Sequence, residues 1–374
     1  MEPKVLFTAS TSSHILNFHL PYLRAFQERG WTVHAACGGT QVPIPFAEEV
    51  IPLPLEKSMG SPRNFRAAAI LRDKIQTEGY GLVSAHTSLA SFFTRLALRG
   101  MKRRPAVMNM CHGYLFDDAT PYLRRQLLLT AERWMAPQTD LLLTMNQWDF
   151  DAARRYQLGR RVVHIPGVGV DFSRLARTNA QAAGALRAEW EIPAEAFVLL
   201  YPAEFSRRKS QAVLIRAMPQ LPEQTVLVLA GDGALRQECR TLADTLGLSR
   251  RVIFPGHVSD MAPWYATADA AVSASRSEGL PFNIMEAMYA GLPVTASSVK
   301  GHVDLIADGE TGLLYPYGDP DAFAAQIRRL LESETLRRTL AKQAAERAAQ
   351  YAIEQVFPLV WAQYAALSEE EVSV

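Results

Sequence analysis

Two carboxylates eight residues apart stand in the stretch SEGLPFNIMEAMYAGLPV, residues 277–294. Glu278 precedes the turn Gly279-Leu280-Pro281, and Glu286 follows it where a helix is expected to open. Backbone N–H groups at a helix N-terminus favour an anion, and a carboxylate can hold two vicinal hydroxyls of a ribose. The pattern predicts a pocket for a polyhydroxylated, anionic ligand. The pattern is explained equally well if Glu278 is exposed to solvent and Glu286 interacts favourably with the dipole of the helix.

Several histidines and acids lie at the ends of predicted strands in the first half. His14 and its neighbours Ser12, Ser13, Asn17 and His19 follow the first strand, and His112 follows a later one. His112 is either a group of a binding site or a satisfied core histidine, and for His86 we favour a structural role. Asp117 and Asp118 either bind hydroxyl groups or form a solvated turn.

The elements that must position these residues follow from the hydrophobic pattern. Strands are predicted at 5–9, 32–37, 82–86, 106–111, 140–145 and 162–165, then at 197–202, 225–230, 252–254, 270–273 and 293–296. Helices are predicted at 17–29, 63–78, 89–101, 121–135 and 147–157, and at 319–332, 335–349 and 354–368. Asn17 is the expected N-cap of the first helix, with Pro21 in its first turn. Alternation of this kind predicts parallel sheets covered on both faces.

The chain divides in the sequence at IPGVGVD, whose Pro and two Gly interrupt the pattern around residues 166–171. We predict an α/β protein with a first domain at 1–167, a second at 168–352 and a C-terminal segment at 353–374. Ligands of doubly wound sheets bind at the carboxyl ends of the strands, so the two halves are expected to face a central cleft. One side of helix 354–368 carries a stripe of apolar residues suited to burial: Val356, Phe357, Val360, Trp361 and Tyr364.

Charge and cysteine content restrict the class further. Residues 1–165 contain 20 Lys and Arg against 13 Asp and Glu, or +7, whereas the remainder carries −6 within a net charge of +1. The three cysteines are far apart and lack metal-ligand spacing, which is typical of reduced thiols in a cytosolic protein. The chain has no run of 18 apolar residues, so no spanning helix is expected.

A basic cluster in the first half suggests what that half faces. Arg95, Arg99, Lys102, Arg103 and Arg104 are interleaved with Phe and Leu residues. An amphipathic basic segment can lie on an anionic bilayer. More often, however, such basic residues lie at solvent-exposed helix ends. The chain shows no aromatic-basic pattern typical of a nucleic-acid module.

The stretch S-x-x-E-G-L-P-x-x-x-x-E-A-M-x-x-G-L-P-V, followed by Gly301-His302 and Asp308-Gly309, resembles the donor half of retaining glycosyltransferases of family 4. HILNFHLPYL, CHGY, TMNQWD and IPGVGVD resemble the subgroup that builds capsular polysaccharides and exopolysaccharides, so the resemblance covers nearly the whole chain. It implies the GT-B fold, with two doubly wound Rossmann-like domains: an acceptor domain followed by a donor domain. It also implies a C-terminal helix that crosses back to the first domain.

The resemblance also implies roles for individual residues. It makes Glu286 the ribose ligand and Glu278 the contact to the donor sugar or leaving diphosphate, and makes Lys209 the cation on the diphosphate. It places His112 near the transferred sugar. Donor contacts would come from Gly279, Leu280, Pro281, Phe282, Asn283, Gly231, Gly256 and His257, and acceptor contacts from Ser13, His14, Asn17 and Asp117. The alternatives that involve no ligand are a solvent-exposed Lys209 and, for Gly231-Asp232-Gly233, residues that only form a turn.

The chain departs from the family pattern at two positions. Ala203-Glu204 stands where most of the family has Gly-Arg, and the resemblance leaves Arg207 and Arg208 as the candidates to replace the missing diphosphate cation. The loop after the first strand lacks the usual paired glycines, so contacts there must differ in detail.

The expected function is retaining, metal-independent transfer of a hexose or N-acetylhexosamine, with no cofactor. The donor would be a nucleotide sugar, UDP-linked in the leading interpretation, and the acceptor a polyprenyl-diphosphate-linked saccharide. A cytoplasmic enzyme bound to the inner face of the cell membrane is expected. A sugar-nucleotide epimerase of similar fold and a non-catalytic nucleotide-sugar-binding partner are the alternatives.

Overall fold

Alternating strands and helices build two parallel sheets in this computed structural model, which describes residues 2–177 and 180–372. The described residues form two units. The first runs to Gly169 and includes the residues from Glu354 onward, and the second is Val170–Ile353.

The first unit contains a seven-stranded sheet within its described residues. Its strands are β1 (Lys4–Ala9), β2 (Thr32–Cys37), β3 (Glu49–Pro52), β4 (Leu82–His86), β5 (Ala106–Cys111), β6 (Leu141–Thr144) and β7 (Arg161–His164). Its helices are α1 (Ser12–Phe18), α2 (Leu20–Gln27), α3 (Pro62–Glu78), α4 (Ser88–Leu98), α5 (Tyr122–Met135) and α6 (Gln147–Arg155).

The second unit contains a six-stranded sheet in the part of the chain that is described. Its strands are β8 (Phe197–Pro202), β9 (Thr225–Ala230), β10 (Val252–Gly256), β11 (Ala270–Ser273), β12 (Val294–Ser297) and β13 (Leu313–Tyr315). Its helices are α7 (Ala180–Glu189), α8 (Gln211–Ala217), α9 (Arg236–Thr245), α10 (Ala262–Thr267), α11 (Phe282–Tyr289), α12 (His302–Leu305), α13 (Pro320–Glu332) and α14 (Glu334–Ala348).

Strand order identifies one switch point in each sheet. The orders are β3-β2-β1-β4-β5-β6-β7 and β10-β9-β8-β11-β12-β13, with every neighbouring pair parallel. The winding therefore reverses between β1 and β4 and between β8 and β11. Loops diverge at such points and leave a crevice at the carboxyl ends of the strands. The predicted class of fold, two doubly wound Rossmann-like α/β domains, is confirmed.

The central strands are buried along their whole length, as parallel strands covered by helices must be. Residues of β4, β5 and β9 are all buried, and their sequences LVSAH, AVMNMC and TVLVLA are dominated by apolar and small side chains. The sequence pattern predicted these strands with their observed bounds because a fully buried strand reads as a short apolar run.

The sequence analysis missed two strands, β3 and β13. Both are edge strands. β3 has only one buried residue and ends in Pro52, which cannot donate to a ladder, and β13 is three residues long. An apolar pattern needs more residues than these to be recognised.

The helix expected at 17–29 is instead two helices, α1 and α2, joined at His19. Asn17 lies inside α1, so its assignment as an N-cap was wrong, and His19 occupies the N-cap position of α2. Pro21 lies in the first turn of α2, where a missing backbone N–H is tolerated. Proline at that position ends one helix and starts the next.

The last helix, α15 (Ile353–Val372), packs its apolar stripe on α2 and the sheet of the first unit. Val356, Val360 and Tyr364 are fully buried. The Tyr364 hydroxyl is 2.7 Å from Ser84 Oγ of β4, and the ring of Trp361 lies 4.9 Å from that of Phe26. No helix among the described residues is long and apolar enough to cross a membrane.

Candidate active site

The loops that leave β8 and β11 meet at the switch point of the second sheet. Arg208 and Lys209 lie in the first loop and Glu278 in the second. Both loops start at carboxyl ends of adjacent strands, which explains how residues about 70 positions apart in the sequence come into contact. The structure thus brings the three side chains together at the carboxyl ends of β8 and β11.

Glu278 bridges two cations at this point. Its Oε1 accepts a hydrogen bond from Lys209 Nζ at 2.6 Å and its Oε2 one from Arg208 Nη1 at 2.6 Å. Burial alone would raise the pKa of Glu278, but Lys209 and Arg208 outweigh it and lower the pKa to about 2. The carboxylate is therefore charged at neutral pH, and the three side chains together carry one net positive charge.

Arg208, one of the two arginines that the sequence left open as a diphosphate cation, is the second cation that contacts Glu278. Its guanidinium also donates to the carbonyl oxygen of Ser277 at 3.2 Å. The side chain of Arg208 is 51% exposed, whereas that of Lys209 is 12% exposed. A half-exposed arginine can change partner at small cost, because water already solvates part of it.

A glycine holds the backbone of Glu278 close to the following loop. Gly301 has φ +83°, and a Cβ atom placed on it would lie 2.7 Å from Glu278 Cβ and 2.9 Å from Glu278 C and O. The Glu278 amide donates to the Lys300 carbonyl at 3.2 Å across the same contact. Only a glycine fits this approach, so Gly301 positions Glu278.

Glu286 lies in the second turn of α11 and is held by a tyrosine of α10. The Tyr265 hydroxyl donates to Glu286 Oε2 at 2.9 Å and to the Asn283 carbonyl at 3.3 Å. Burial raises the pKa of Glu286 above its usual value, against the hydrogen bond from Tyr265 and the charge of Arg174. A partly buried carboxylate with one oxygen engaged keeps acceptor capacity for hydroxyl groups of a ligand.

The turn between the two glutamates begins a helix at the carboxyl end of β11. Gly279, Leu280 and Pro281 precede α11, and Pro281 at the N-cap gives no side-chain cap to the first turn. Phe282 and Asn283 are its first residues, and Asn283 Nδ2 donates to the Pro202 carbonyl at 3.0 Å, which ties α11 to the end of β8. The helix N-terminus thus lies at the switch point, where it can meet an anion.

Gly231 follows β9, Gly256 is the last residue of β10, and His257 comes directly after it. A Cβ on Gly231, whose φ is +147°, would lie 2.1 Å from the Ala203 carbonyl oxygen, and the Gly231 amide donates to Gly256 O at 2.7 Å. Close packing of the backbone is therefore enough to explain why residue 231 is a glycine, and no ligand is needed for that explanation. His257 is exposed directly after β10.

The predicted site residues of the first unit fall into two groups. His14 and His112 are adjacent, with 3.2 Å between their Nε2 atoms. Ser13 and Asn17 are exposed on α1, and Ser13 contacts Thr11. Asp117 closes a local turn: its amide donates to Thr120 Oγ1 at 3.0 Å, and the Thr120 hydroxyl donates to its carboxylate at 2.8 Å. The turn interpretation accounts for Asp117.

The basic cluster predicted to face a membrane is largely engaged within the protein. Arg95 is 1% exposed and pairs with Glu132 at 2.9 Å, Arg104 pairs with Asp140, and Arg99 lies over the ring of Trp134 at 4.2 Å. The apolar side of α4 packs into the core of the first unit. The prediction that this cluster as a whole meets the bilayer was therefore wrong, because sequence spacing does not reveal partners on other elements. Lys102 and Arg103 remain exposed.

Sequence reasoning missed Tyr265 and the positioning role of Gly301. Tyr265 lies on α10, 21 residues before Glu286, with no motif around it. Gly301 had a signal, because it was part of the motif that carried the resemblance, but its contact with Glu278 depends on how two loops pack.

Family models match both halves of the chain. Residues 22–174 match the model described as Glycosyltransferase Family 4, and residues 184–347 match the one described as Glycosyl transferases group 1. EpsD of Bacillus subtilis (strain 168), to which a glycosyltransferase function is attributed, is 35% identical over 92% of this chain and 91% of its own. The lipopolysaccharide core biosynthesis glycosyltransferase LpsE of Rhizobium meliloti (strain 1021) is 36% identical over 43% of this chain and 47% of its own.

Solved structures share the fold. HepE of Anabaena, in complex with UDP and glucose, has a TM-score of 0.79 at 21% identity and covers 97% of this chain and 100% of its own. Sucrose-phosphate synthase from Thermosynechococcus elongatus has a TM-score of 0.81 at 24% identity, over 98% of this chain and 99% of its own. Fold and family models together define a glycosyltransferase of the GT-B class. The chain belongs to glycosyltransferase family 4, as its motifs indicated.

Proposed function

We propose that the chain transfers a hexose or an N-acetylhexosamine from a UDP-linked donor to a polyprenyl-diphosphate-linked saccharide, in capsule or exopolysaccharide synthesis, with retention of configuration. The observation that carries the proposal is the Lys209–Glu278–Arg208 cluster at the switch point, beside the helix that presents Glu286. A diphosphate bound by the two cations and a ribose bound by Glu286 account for this arrangement.

Lys209 and Arg208 act while the bond between the donor sugar and its diphosphate breaks. Negative charge grows on the diphosphate as the bond between its oxygen and the sugar anomeric carbon lengthens, and fixed positive charge stabilises that state. Lys209 and Arg208 turn from Glu278 toward the diphosphate, and Glu278 then accepts hydrogen bonds from the sugar. We propose that these cations take the place of a divalent metal at the diphosphate, so that transfer requires none.

The configuration of the anomeric carbon is retained because the acceptor attacks that carbon from the same face from which the leaving group departs. The acceptor hydroxyl oxygen forms its bond to the anomeric carbon as the bond to the phosphate oxygen breaks on the same side. The hydroxyl proton passes to the departing phosphate oxygen, which gains basicity as its charge grows. His112 lies near the transferred sugar in this proposal. Its pKa is lowered by burial and by the neighbouring His14, which keeps the imidazole neutral at pH 7.

The acceptor belongs to the first unit in this proposal, and a helix surface there supports membrane binding at the cytoplasmic face. Leu123, Leu127 and Trp134 of α5 are 81%, 71% and 48% exposed. Their spacing places them on one side of the helix, and exposed Arg124 and Arg133 flank them. Large apolar side chains exposed beside arginines are typical of helices that lie at a bilayer interface.

Relatives support the choice of donor and pathway. HepE, which shares the fold, was crystallised with UDP and glucose, and EpsD matches over 92% of this chain and 91% of its own. These support a UDP-linked donor and an exopolysaccharide product here.

Purified protein incubated with a panel of UDP-, GDP- and dTDP-sugars and a synthetic polyprenyl-diphosphate monosaccharide tests the proposal. We expect acceptor-dependent release of UDP from one donor, an unchanged rate in EDTA, and an α-linkage by NMR from an α-linked donor. Release of GDP or dTDP only, an inverted linkage, or loss of activity in EDTA that Mg²⁺ or Mn²⁺ restores would each contradict the corresponding part. Interconversion of a UDP-sugar without acceptor would identify an epimerase, and binding without turnover a non-catalytic partner.

A further inference from the structure

Four histidines of the first unit converge at the switch point of its sheet. His14 lies on α1, His19 between α1 and α2, His86 at the last position of β4, and His112 directly after β5. One nitrogen from each of the four rings lies within 4.8 Å of those of the others. The proposed transfer uses only His112 of this set as a catalytic group, so the convergence of the other three needs a separate explanation.

The spacing of the ring nitrogens matches a tetrahedral metal ion. The His14 and His112 Nε2 atoms are 3.2 Å apart, and the His14 and His19 Nε2 atoms are 3.4 Å apart. With Zn–N bonds of about 2.0–2.1 Å, the edge of a tetrahedral zinc site is about 3.3 Å. Two pairs of ring nitrogens therefore already lie near the separation that the ion requires, and one nitrogen from each of the four rings lies within 4.8 Å of the others.

The hydrogen bonds of the two buried rings leave nitrogens for such an ion. His86 Nε2 is 2.9 Å from Ser84 Oγ, which is in turn 2.7 Å from the Tyr364 hydroxyl, so the ring is oriented from its far side. His86 Nδ1 is buried with no hydrogen-bond partner among the described residues and is left for the ion, whereas His19 faces the ion with Nε2. A second ring nitrogen fixed by a hydroxyl is how metal-binding histidines are commonly oriented.

The chemistry of the cluster selects the kind of ion. All four ligands are imidazoles, which suit Zn²⁺, Ni²⁺, Cu²⁺ and Co²⁺ and not the oxygen-seeking Mg²⁺ or Ca²⁺. Imidazole binds such ions through an unprotonated ring nitrogen, and each of the four side chains can offer one. His14 and His112 are partly exposed, which leaves a route of entry for the ion.

We propose that His14, His19, His86 and His112 form a binding site for one divalent transition-metal ion of the zinc class. Coordination occupies one ring nitrogen of His112 and fixes the ring, so the metal-loaded protein is expected to be inhibited in sugar transfer. That consequence rests on the proposed function, whereas binding of the ion does not.

Metal binding by tag-free, chelator-stripped protein tests the site directly. Calorimetry with Zn²⁺ should give one ion per chain, and Co²⁺ should give the intense visible absorption of a tetrahedral complex. His14→Gln, at the accessible rim, and His86→Gln should each weaken binding at least tenfold, with folding checked by circular dichroism. His34→Gln, a buried histidine of β2 that is hydrogen-bonded to Tyr80 at 2.7 Å, is the matched control and should bind as the wild type does.

Absence of Zn²⁺ binding, an octahedral Co²⁺ spectrum, or equal binding by folded His14→Gln and the wild type would overturn the site. The cluster would then be a hydrogen-bonded core of neutral imidazoles. If Zn²⁺ binds but the stripped protein transfers no sugar, the proposed function fails while the metal site stands. If Zn²⁺ binds and transfer continues at saturating metal, only the expected inhibition is wrong.

Discussion

At the scale of single residues, the proposed donor site depends on one carboxylate, Glu278, which pairs with two cations until a diphosphate takes its place. The ion pairs of Glu278 hold Lys209 and Arg208 in place at 2.6 Å each. A diphosphate brings more negative charge than the single carboxylate can, so exchange of partners is favourable when the nucleotide binds. Mutations of these side chains should therefore affect the chemical step and nucleotide binding to different degrees.

Lys209→Ala is expected to lower kcat by about 10²–10³-fold, because the ammonium group meets charge that develops only in the transition state. Steady-state kinetics with the preferred donor measure this, with Lys342→Ala, an exposed lysine of α14, as the control. A variant with normal kcat and only a raised KM would show that Lys209 binds the ground state alone.

Glu286→Gln is expected to weaken UDP binding by about 1.5–3 kcal/mol, because a charge-assisted hydrogen bond to the ribose becomes a neutral one. The glutamine keeps the hydrogen bond from Tyr265, so the free energy of unfolding should not fall. Calorimetry and denaturant unfolding measure the two quantities, with Glu346→Gln on the exposed side of α14 as the control. Unchanged UDP affinity in a folded variant would remove Glu286 from the ribose site.

The raised pKa of Glu286 also gives a pH dependence. The ionised carboxylate binds the ribose hydroxyls, so UDP affinity should fall with falling pH, starting above the usual carboxyl pKa of 4.5. Folding shows the opposite sign: the folded protein holds this proton more tightly than the unfolded chain, so protonation of Glu286 stabilises the fold as pH falls. The Glu286→Gln variant should lack this part of the pH dependence of UDP binding.

At the scale of elements, loops and helix faces decide which side chains are available. The loop between β12 and α12 approaches the Glu278 backbone so closely that Gly301 has no room for a side chain. Helix α5 turns its apolar stripe outward, while α4 buries its own. Neither property is visible from one element alone.

Gly301→Ala is expected to displace Glu278 and lower kcat at least about tenfold, since small misplacements of reacting groups are costly. Gly309→Ala is the matched control, because Gly309 has a similar φ of +76° with no atom within 4 Å of its added Cβ. Both variants should lose about 1 kcal/mol of stability to backbone strain, so only the contact with Glu278 separates them. Equal kcat values for the two variants would refute the positioning role.

Leu123→Gln with Leu127→Gln is expected to reduce binding to phosphatidylglycerol vesicles at least about tenfold, because two apolar side chains no longer enter the interface. Co-sedimentation measures the effect, and higher salt should weaken wild-type binding through the flanking arginines. The control is Leu246→Gln with Leu359→Gln, two exposed leucines away from α5. Wild-type protein that stays in solution at low salt would exclude this surface.

At the scale of the whole molecule, each unit has its own sheet and its own core, and the end of the chain completes the first unit. Tyr364 is fully buried there and is hydrogen-bonded to β4. Residues from Glu354 onward therefore stabilise a unit whose other residues end at Gly169.

Tyr364→Ala is expected to destabilise the first unit by about 3–5 kcal/mol, through the cavity that it leaves, with UDP affinity of the second unit unchanged. Pulse proteolysis locates the unfolding, and calorimetry measures the nucleotide. Leu359→Ala, 53% exposed on the same helix, is the control and should change stability little. Loss of UDP binding in parallel with unfolding of the first unit would contradict independent units.

The amino-acid pattern was enough to predict the class of fold and most strand bounds, and it nominated Glu278, Glu286 and Lys209 as donor-site residues. Buried parallel strands read as apolar runs, and Glu278, Glu286 and Lys209 lie in loops and helix starts that short motifs specify. The apolar pattern did not predict β3 and β13, because these edge strands are short. It also predicted α1 and α2 as one helix, although Pro21 marks the start of a second one.

Only the tertiary structure decided which side chains have partners. The contact of Arg208 with Glu278, the burial of Arg95 against Glu132 and the hydrogen bond from Tyr265 to Glu286 all join residues distant in sequence. The convergence of four histidines has the same origin, because parallel strands place their carboxyl ends at one edge of the sheet wherever they occur in the chain. Spacing along the sequence does not predict such contacts, because they depend on the order of strands in the sheet.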